Sequence, residues 1–249
     1  MPPKKKIRLI HTSDTHLGDH LGHPVAEEAF QAVVEAVPAL GGDILLLVGD
    51  VFDNHRVSDE VLEFFLEHVS RLDIPAVILP GNHDLYDHES IYLRQPFQDK
   101  PPNLHIFTQP EGQILSFPEL TLDLWGRAML LHAPEFHPLE GMPPNANGRW
   151  LVALAHGHFH EDHEVDQRSS PIYPEDVEGA TCDYLALGHW DRYVDLSLGG
   201  VKAAYSGTPL GPSPSNPVRA VNVVEMDPEA GIQFRQVSLA GWAGKKLLS

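Results

Sequence analysis

Five short clusters in this chain combine carboxylates, an amide and imidazoles in ways that could hold metal ions. They are Asp14-Thr15-His16, Gly49-Asp50-Val51-Phe52-Asp53, Gly81-Asn82-His83-Asp84, Ala155-His156-Gly157-His158 and Leu187-Gly188-His189-Trp190-Asp191. Oxygen and imidazole donors without thiolate suit Mn, Fe, Zn or Mg better than a soft-metal or iron–sulfur site. A carboxylate can bridge two cations, so one Asp at a tight glycine turn could serve both. Two ions about 3.5–4 Å apart would clamp the attacking and leaving oxygens of an in-line displacement and turn a bound water into a hydroxide nucleophile. Taken singly, each cluster reads as an ordinary turn or cap. Their shared placement, each directly after an apolar run, is what argues for chemistry.

The elements that must position them follow from periodicity. A short β-branched run at 7–10 ends at His11-Thr12-Ser13-Asp14. Segment 24–40 spaces Ala26, Ala29, Phe30, Val33, Val37 and Leu40 as a helix, opened by Pro24 and closed by Gly41-Gly42. The continuous apolar run at 44–48 reads as a strand buried on both faces. Ser58 is a fitting N-cap for a second helix carrying Val61, Phe65, Val69 and Leu72, and 75–79 is a third strand. Strand–helix–strand–helix–strand predicts parallel pairing with right-handed crossovers. In an open parallel sheet ligands gather at the carboxyl ends of the strands, so the first three clusters converge on one edge. Short strands are predicted near 104–107, 113–117, 120–125, 151–155, 184–187, 202–205, 220–226 and 232–237. The whole predicts an α/β (α+β) fold, two packed sheets with helices outside.

At 249 residues the chain can bury a proper core, with 42% hydrophobic and 21% charged residues. Its 17 basic against 35 acidic residues give a net charge of −18, which argues against tight, unaided DNA binding. The basic start Lys4-Lys5-Lys6 is followed by too short an apolar run for a signal peptide, and no stretch reaches membrane-spanning length. Lysines 4–6 are expected to be a solvated terminus. The lone Cys182 excludes an internal disulfide and suits a reducing, cytoplasmic compartment. It reads as a small buried filler.

In this order the clusters resemble the D-x-H, GDxxD, GNHD, H and GHxH motifs of the calcineurin-like metallophosphoesterase superfamily, over residues 7 to about 207. Segments 48–54 (VGDVFDN), 183–189 (DYLALGH) and 205–210 (YSGTPL) resemble its SbcD nuclease branch. The resemblance implies a four-layer αββα sandwich, two mixed β-sheets flanked by helices. It implies a phosphoesterase domain over residues 1–210, with 211–249 as a β-rich extension completing or capping it. It also implies two divalent ions, Mn expected and Fe, Zn or Mg as alternatives. Asp14 and His16 would hold the first, Asp50 would bridge, and Asn82, His156 and His189 would hold the second. His83 would face the scissile phosphate as acid or electrostatic stabiliser, oriented by Asp53. Arg56 and His55 lie where they could touch a substrate phosphate. One departure stands out: the final family motif ends in His, whereas this chain has Asp191, expected to supply a metal oxygen with a shorter reach.

His156 and His158 compete for one ligand role. His156 is preferred because it directly ends the run 151–155, leaving His158, His160 and His163 to a solvated loop. His132 and His137 read as structural or surface residues. Two functions remain: an SbcD-like phosphodiesterase or exonuclease acting on DNA, with a partner protein or a homodimer, or a small-molecule or nucleotide phosphatase or phosphodiesterase. A non-catalytic scaffold is a third, disfavoured because only position 191 departs from the motifs. No membrane is expected as a partner.

Overall fold

The computed structural model describes residues 3–162, 170–211 and 219–240. Its first sheet is built from β1 (Ile7–Thr12), β2 (Ile44–Val48), β3 (Ala76–Leu79), β4 (Leu104–Ile106), β13 (Ala220–Asp227) and β14 (Gly231–Ser238). Their order is β14-β13-β1-β2-β3-β4. Strands β1 to β4 run parallel, and the C-terminal hairpin adds two antiparallel strands beside β1. The second sheet holds β5 (Gln113–Phe117), β6 (Leu122–Gly126), β7 (Trp150–His156), β10 (Tyr184–Gly188), β11 (Val194–Asp195) and β12 (Lys202–Tyr205), in the order β11-β12-β10-β7-β6-β5. Its inner strands β6, β7, β10 and β12 are parallel. A separate two-residue pair joins β8 (His158–Phe159) to β9 (Pro171–Ile172).

Burial explains the layering. Alternate residues of β1 and β2, Leu9, Ile44, Leu46 and Val48, meet Leu124, Val152, Leu154 and Tyr184 of the second sheet in one apolar layer. The other face of the first sheet packs on helices α1 (Ala26–Ala39) and α2 (Asp59–Ser70), through Phe30, Val33, Leu62 and Phe65. Every residue of β2 is buried because both faces are covered, which is why its sequence lacks alternation. Ser58 occupies the α2 N-cap with Asp59 and Glu60 in the first turn, where the helix dipole favours them. The short α3 (Gln95–Gln98) packs beside α2.

The fourth layer is thinner than an αββα sandwich suggests. Behind the second sheet, among the described residues, the helix α4 (Pro174–Glu178) and irregular segments cover Leu151, Ala153, Leu185 and Leu187. The C-terminal stretch given to an extension pairs directly into the first sheet; residues 212–218 and 241–249 lie outside the described part.

Two local expectations change. Lysines 4–6 are solvated only in part: Lys5 and Lys6 are exposed, but Lys4 is half-buried, its Nζ 2.9 Å from Asp183 and 4.0 Å above the Trp150 ring, and the Lys5 N–H donates to Thr121 Oγ1. Lys6 reaches Asp227 at 3.0 Å. Carboxylates give the Lys4 and Lys6 ammonium groups partners, and the Glu119 carbonyl accepts from that of Lys5. His158 and His160 are half-buried on and beside β8, held by the β8–β9 pair and not in a solvated loop; His163 lies outside the described residues. No helix among the described residues is long and apolar enough to cross a membrane.

Candidate metal centre

The carboxyl ends of β1, β2 and β3 meet those of β7 and β10, and the five polar clusters close on one another there. Their backbones interlock: Asp14 N–H donates to the Gly49 carbonyl, His16 N–H to that of Asp50, and His189 N–H to the Asp14 carboxylate, all within 3.1 Å. The glycines permit this closeness. A Cβ on Gly49 would stand 2.0 Å from His156 Nδ1, and one on Gly188 only 1.8 Å from the Val48 carbonyl. Asp14, His16, Asp50 and His189 also adopt positive φ, of 55°, 44°, 52° and 106°. Such backbone costs about 1–3 kcal/mol per residue and persists only where the surroundings over-determine it. The fold concentrates this strain on four of the residues named as ligands.

The side chains form three overlapping groups with ligand atoms within 4.8 Å of one another: Asp14, His16 and Asp50; Asp50, His156 and His189; and His16, Asp53 and His83. Asp50 belongs to the first two. Its Oδ1 accepts from the His83 N–H at 2.8 Å, and its Oδ2 lies 3.3 Å from His156 Nε2. The Asn82 amide oxygen sits 3.1 Å from His156 Nε2 and 3.0 Å from His189 Nδ1.

Donor chemistry tests whether cations fit. His156 Nδ1 lies 2.9 Å from the Val48 carbonyl, so its Nδ1–H donates there and Nε2 of the neutral ring carries a lone pair. That lone pair faces two oxygens, Asp50 Oδ2 and Asn82 Oδ1. Three acceptors aimed at one point repel unless a proton or a cation lies among them. His16 Nδ1 is likewise buried without a hydrogen-bond partner. The residues fit divalent ions.

The electrostatics agree. Burial, and after it the neighbouring Asp50, push the Asp14 carboxyl up to about 7, against the pull of His156. Burial would also raise Asp50, yet His156, His83 and His16 hold it below its ordinary value. His156 is driven down by burial but lifted further by Asp50 and Asp14, to about 10. Burial and the charge of His156 drop His189 to about 3. For His83 burial lowers and Asp50 with the Asp53 carbonyl raises, the rise prevailing. Without metal this anionic pocket borrows a proton through His156.

The remaining expected residues fall in different places. His83 is partly exposed beside the cluster, and its Nδ1 lies 2.7 Å from the Asp53 backbone carbonyl. The Asp53 carboxylate, expected to make that bond, stands 3.8 Å from His83 and 3.7 Å from His16, because the turn after β2 points the carbonyl at the ring. His55 and Arg56 are exposed on the following turn. Asp191 is exposed at the rim, its carbonyl accepting from the Thr208 N–H, and it is outside the three ligand groups. Cys182 is buried just before β10 begins, its thiol pushed up to about 12 by burial.

Several residues carry more than the sequence reading gives them. Asp84, buried, accepts from the N–H groups of Asp50, Val51, Phe52 and Gly81 and from the Tyr92 hydroxyl, so one carboxylate ties two ligand loops together. Its place in the GNHD motif is the signal that could have found it. His23 stacks on His16 at 5.3 Å, with Asp19 Oδ2 2.8 Å from its Nδ1, and His132 lies 6.2 Å from His189. Neither sits in a motif, and neither could be placed from the sequence.

Known proteins agree with this picture. A family model described as calcineurin-like phosphoesterase matches residues 7–193. A probable cyclic nucleotide phosphodiesterase of Pseudoalteromonas is 27% identical over 205 residues, covering 68% of this chain and 77% of that protein. A component of the SbcCD nuclease of Bacillus subtilis is 24% identical, covering 97% of this chain and 71% of that one. A dimetal phosphatase from Danio rerio superposes with a TM-score of 0.58 over 96% of this chain and 100% of that one at 10% identity, a likeness of fold. The interlocked carboxylates and imidazoles thus sit on a known scaffold, and the chain belongs to the calcineurin-like phosphoesterase family, hydrolases of phosphoric ester bonds.

Proposed function

We propose that this enzyme hydrolyses phosphodiester bonds in small, nucleotide-type substrates, using two divalent ions, Mn2+ foremost. The observation that carries the reading is the convergence of nitrogen and oxygen donors from both sheets in overlapping groups, with Asp50 shared by two of them. Asp14 and His16 hold one ion, Asn82, His156 and His189 the other, and Asp50 stands between. Asp191, exposed at the rim and outside the three ligand groups, would lend an oxygen only by turning toward the ions. When bound, the ions supply positive charge to the attacking and leaving oxygens and a water acidified toward neutrality. The Asp53 carbonyl fixes the His83 tautomer, leaving Nε2 directed away from its own scaffold toward a bound ester, where it stabilises charge or gives a proton to the leaving oxygen. Arg56 and His55 approach the phosphate from the open side.

The net charge of −18 supports a small substrate over a DNA duplex. A nuclease acting on DNA, with a partner protein or as a homodimer, is the second reading, favoured by the similarity to the SbcCD component along 97% of the chain. A cytoplasmic setting belongs to the proposal through the buried, unpaired Cys182.

The test strips the protein with chelator, reloads it with Mn, Fe, Zn or Mg singly, and offers bis-p-nitrophenyl phosphate, cyclic nucleotides, nucleoside monophosphates and single- and double-stranded DNA. Hydrolysis of diesters only after reloading, Mn giving the most, is expected. Cleavage of DNA at comparable rates would replace the first reading by the second. Absence of turnover with every metal would refute both.

A further inference from the structure

Beside the centre, on the side of the second sheet, lies a cavity of about 340 Å³ lined by His158, His189, Trp190, Asp191 and Arg192. His189 belongs to both, so a substituent of an ester held at the metals can reach into this cavity. Its aromatic wall is rigid. The Trp190 indole lies flat on Tyr205, centroids 4.8 Å apart and 9° from parallel. Tyr205 is fully buried and anchored by its hydroxyl, which donates to the Gly157 carbonyl at 2.6 Å. The indole N–H donates to His158 Nδ1 at 3.2 Å, and the imidazole stands edge-on to the indole at 5.4 Å. Trp190 is therefore clamped on one face and along its N–H edge, and it is one of the residues that line the cavity. Nothing in the ligand set requires an indole after His189.

We infer that this cavity is a subsite for the nucleobase of the substrate, with Trp190 as its stacking platform and Arg192 as its polar partner. A flat, rigid π-system matches the face of a planar base, and stacking on it tolerates any base. Arg192, exposed at the mouth, can lie over a ring or hydrogen-bond to base oxygens. One platform with one cation accommodates a single nucleotide unit. The inference rests on the proposed phosphodiesterase reading and narrows its substrate class.

Two measurements test it separately from that reading. In the first, the Mn-loaded enzyme hydrolyses thymidine 5′-(p-nitrophenyl phosphate) and methyl p-nitrophenyl phosphate, which share a leaving group and differ by the base-bearing unit. The wild type is expected to favour the thymidine ester by about tenfold or more in kcat/KM, the scale of one stacked base. Trp190→Ala should collapse that ratio toward one, and Trp190→Phe should restore most of it. An equal loss on both esters would mean that Trp190 merely supports His189, and would overturn the inference. The second uses calorimetry on Mn-loaded protein with adenosine 5′-monophosphate and ribose 5-phosphate. Tighter binding of the base-bearing ligand, lost in Trp190→Ala, supports the subsite even if neither ester is hydrolysed. Equal affinities in the wild type would overturn it even if the enzyme is an active phosphodiesterase.

Discussion

The two sheets contribute to the centre in unequal ways. From the first come Asp14, His16, Asp50 and Asn82, all on loops, three of them in left-handed backbone and two of the loops bound to the buried Asp84. From the second come His156, the last residue of β7, and His189, the first after β10, which inherit their places from strand ends. Among the described residues, two full helices back the first sheet; one five-residue helix and irregular chain back the second. The braced side is where the carboxylates crowd, and crowded like charges need bracing. The thinner side opens into the Trp190 cavity, where differences in substrate can be accommodated without disturbing the ions.

If Asp50 joins these halves, its replacement should break the centre more completely than loss of a ligand from either side. Asp50→Asn keeps the shape and removes the charge, and should lower diester hydrolysis by on the order of 10³-fold. Metal analysis should find at most one tightly held ion, whereas His189→Ala should lose the second-sheet ion alone. An Asp50→Asn protein that keeps two ions and most of its activity would show that the halves work independently.

The bracing on the first sheet predicts the next effect. An amide at position 84 offers one acceptor oxygen where the carboxylate serves five donors, and its NH2 would face N–H groups. Asp84→Asn should cost about 3 kcal/mol in stability, seen as a lower denaturant midpoint. Because the ligand loops loosen, Mn affinity should fall by roughly 10–100-fold. No change in affinity despite lower stability would mean that bracing serves the fold alone.

The same asymmetry governs how much was legible in the sequence. The run at 44–48 and the spacing of Phe30, Val33 and Phe65 are local signals, and the parallel βαβ half followed from them with boundaries off by one or two residues. Strands of the second sheet are readable from apolar runs, long in β7 and β10 and only three residues in β12. The two-residue strands β8, β9 and β11 and the helix α4 carry no periodicity and were missed; the strands form by pairing, β8 with β9 and β11 with β12. Within the site, residue types at strand ends announced the clusters. The contact of His132 with His189 and the clamping of Trp190 by Tyr205 join separate elements and leave no local trace, while that of His23 with His16 depends on the path of an irregular loop. The Asp53 carbonyl bond to His83 is of the same kind, since backbone direction in a turn is not written in residue type.

Beneath the centre the two halves touch at His11 of β1 and Tyr184 of β10, whose hydroxyl is 3.1 Å from His11 Nδ1. Burial drops the His11 ring from 6.5 to about 3, only partly offset by the Leu187 backbone. The unfolded chain therefore takes up this proton first as the solution is acidified. The neutral ring's contribution is whole above pH 6.5 and is lost as pH falls toward 3. With both proteins held metal-free in chelator, the wild-type denaturant midpoint should decline more steeply than that of His11→Gln across this range. Parallel declines would remove His11 as the titrating link between the sheets.

The smallest effect belongs to the far end of the second sheet. Lys4 bridges Asp183 and lies over Trp150, while Asp183 also accepts from the Leu151 N–H and from Asn145. With Lys4 removed, Asp183 keeps those two donors and its remaining charge turns to water, so no carboxylate is stranded in an apolar setting. The lost pair is partly solvated and its net worth correspondingly low. Lys4→Ala should cost about 1 kcal/mol or less, measured as a small fall in thermal midpoint that shrinks further in high salt. Metal content and diester turnover should stay at wild-type levels, since Lys4 touches the sheets at the end opposite the ions. A loss of activity instead would mean that strain at the lower ends of the strands is transmitted along β10 to His189, and the thinly covered half would then be the more rigid of the two.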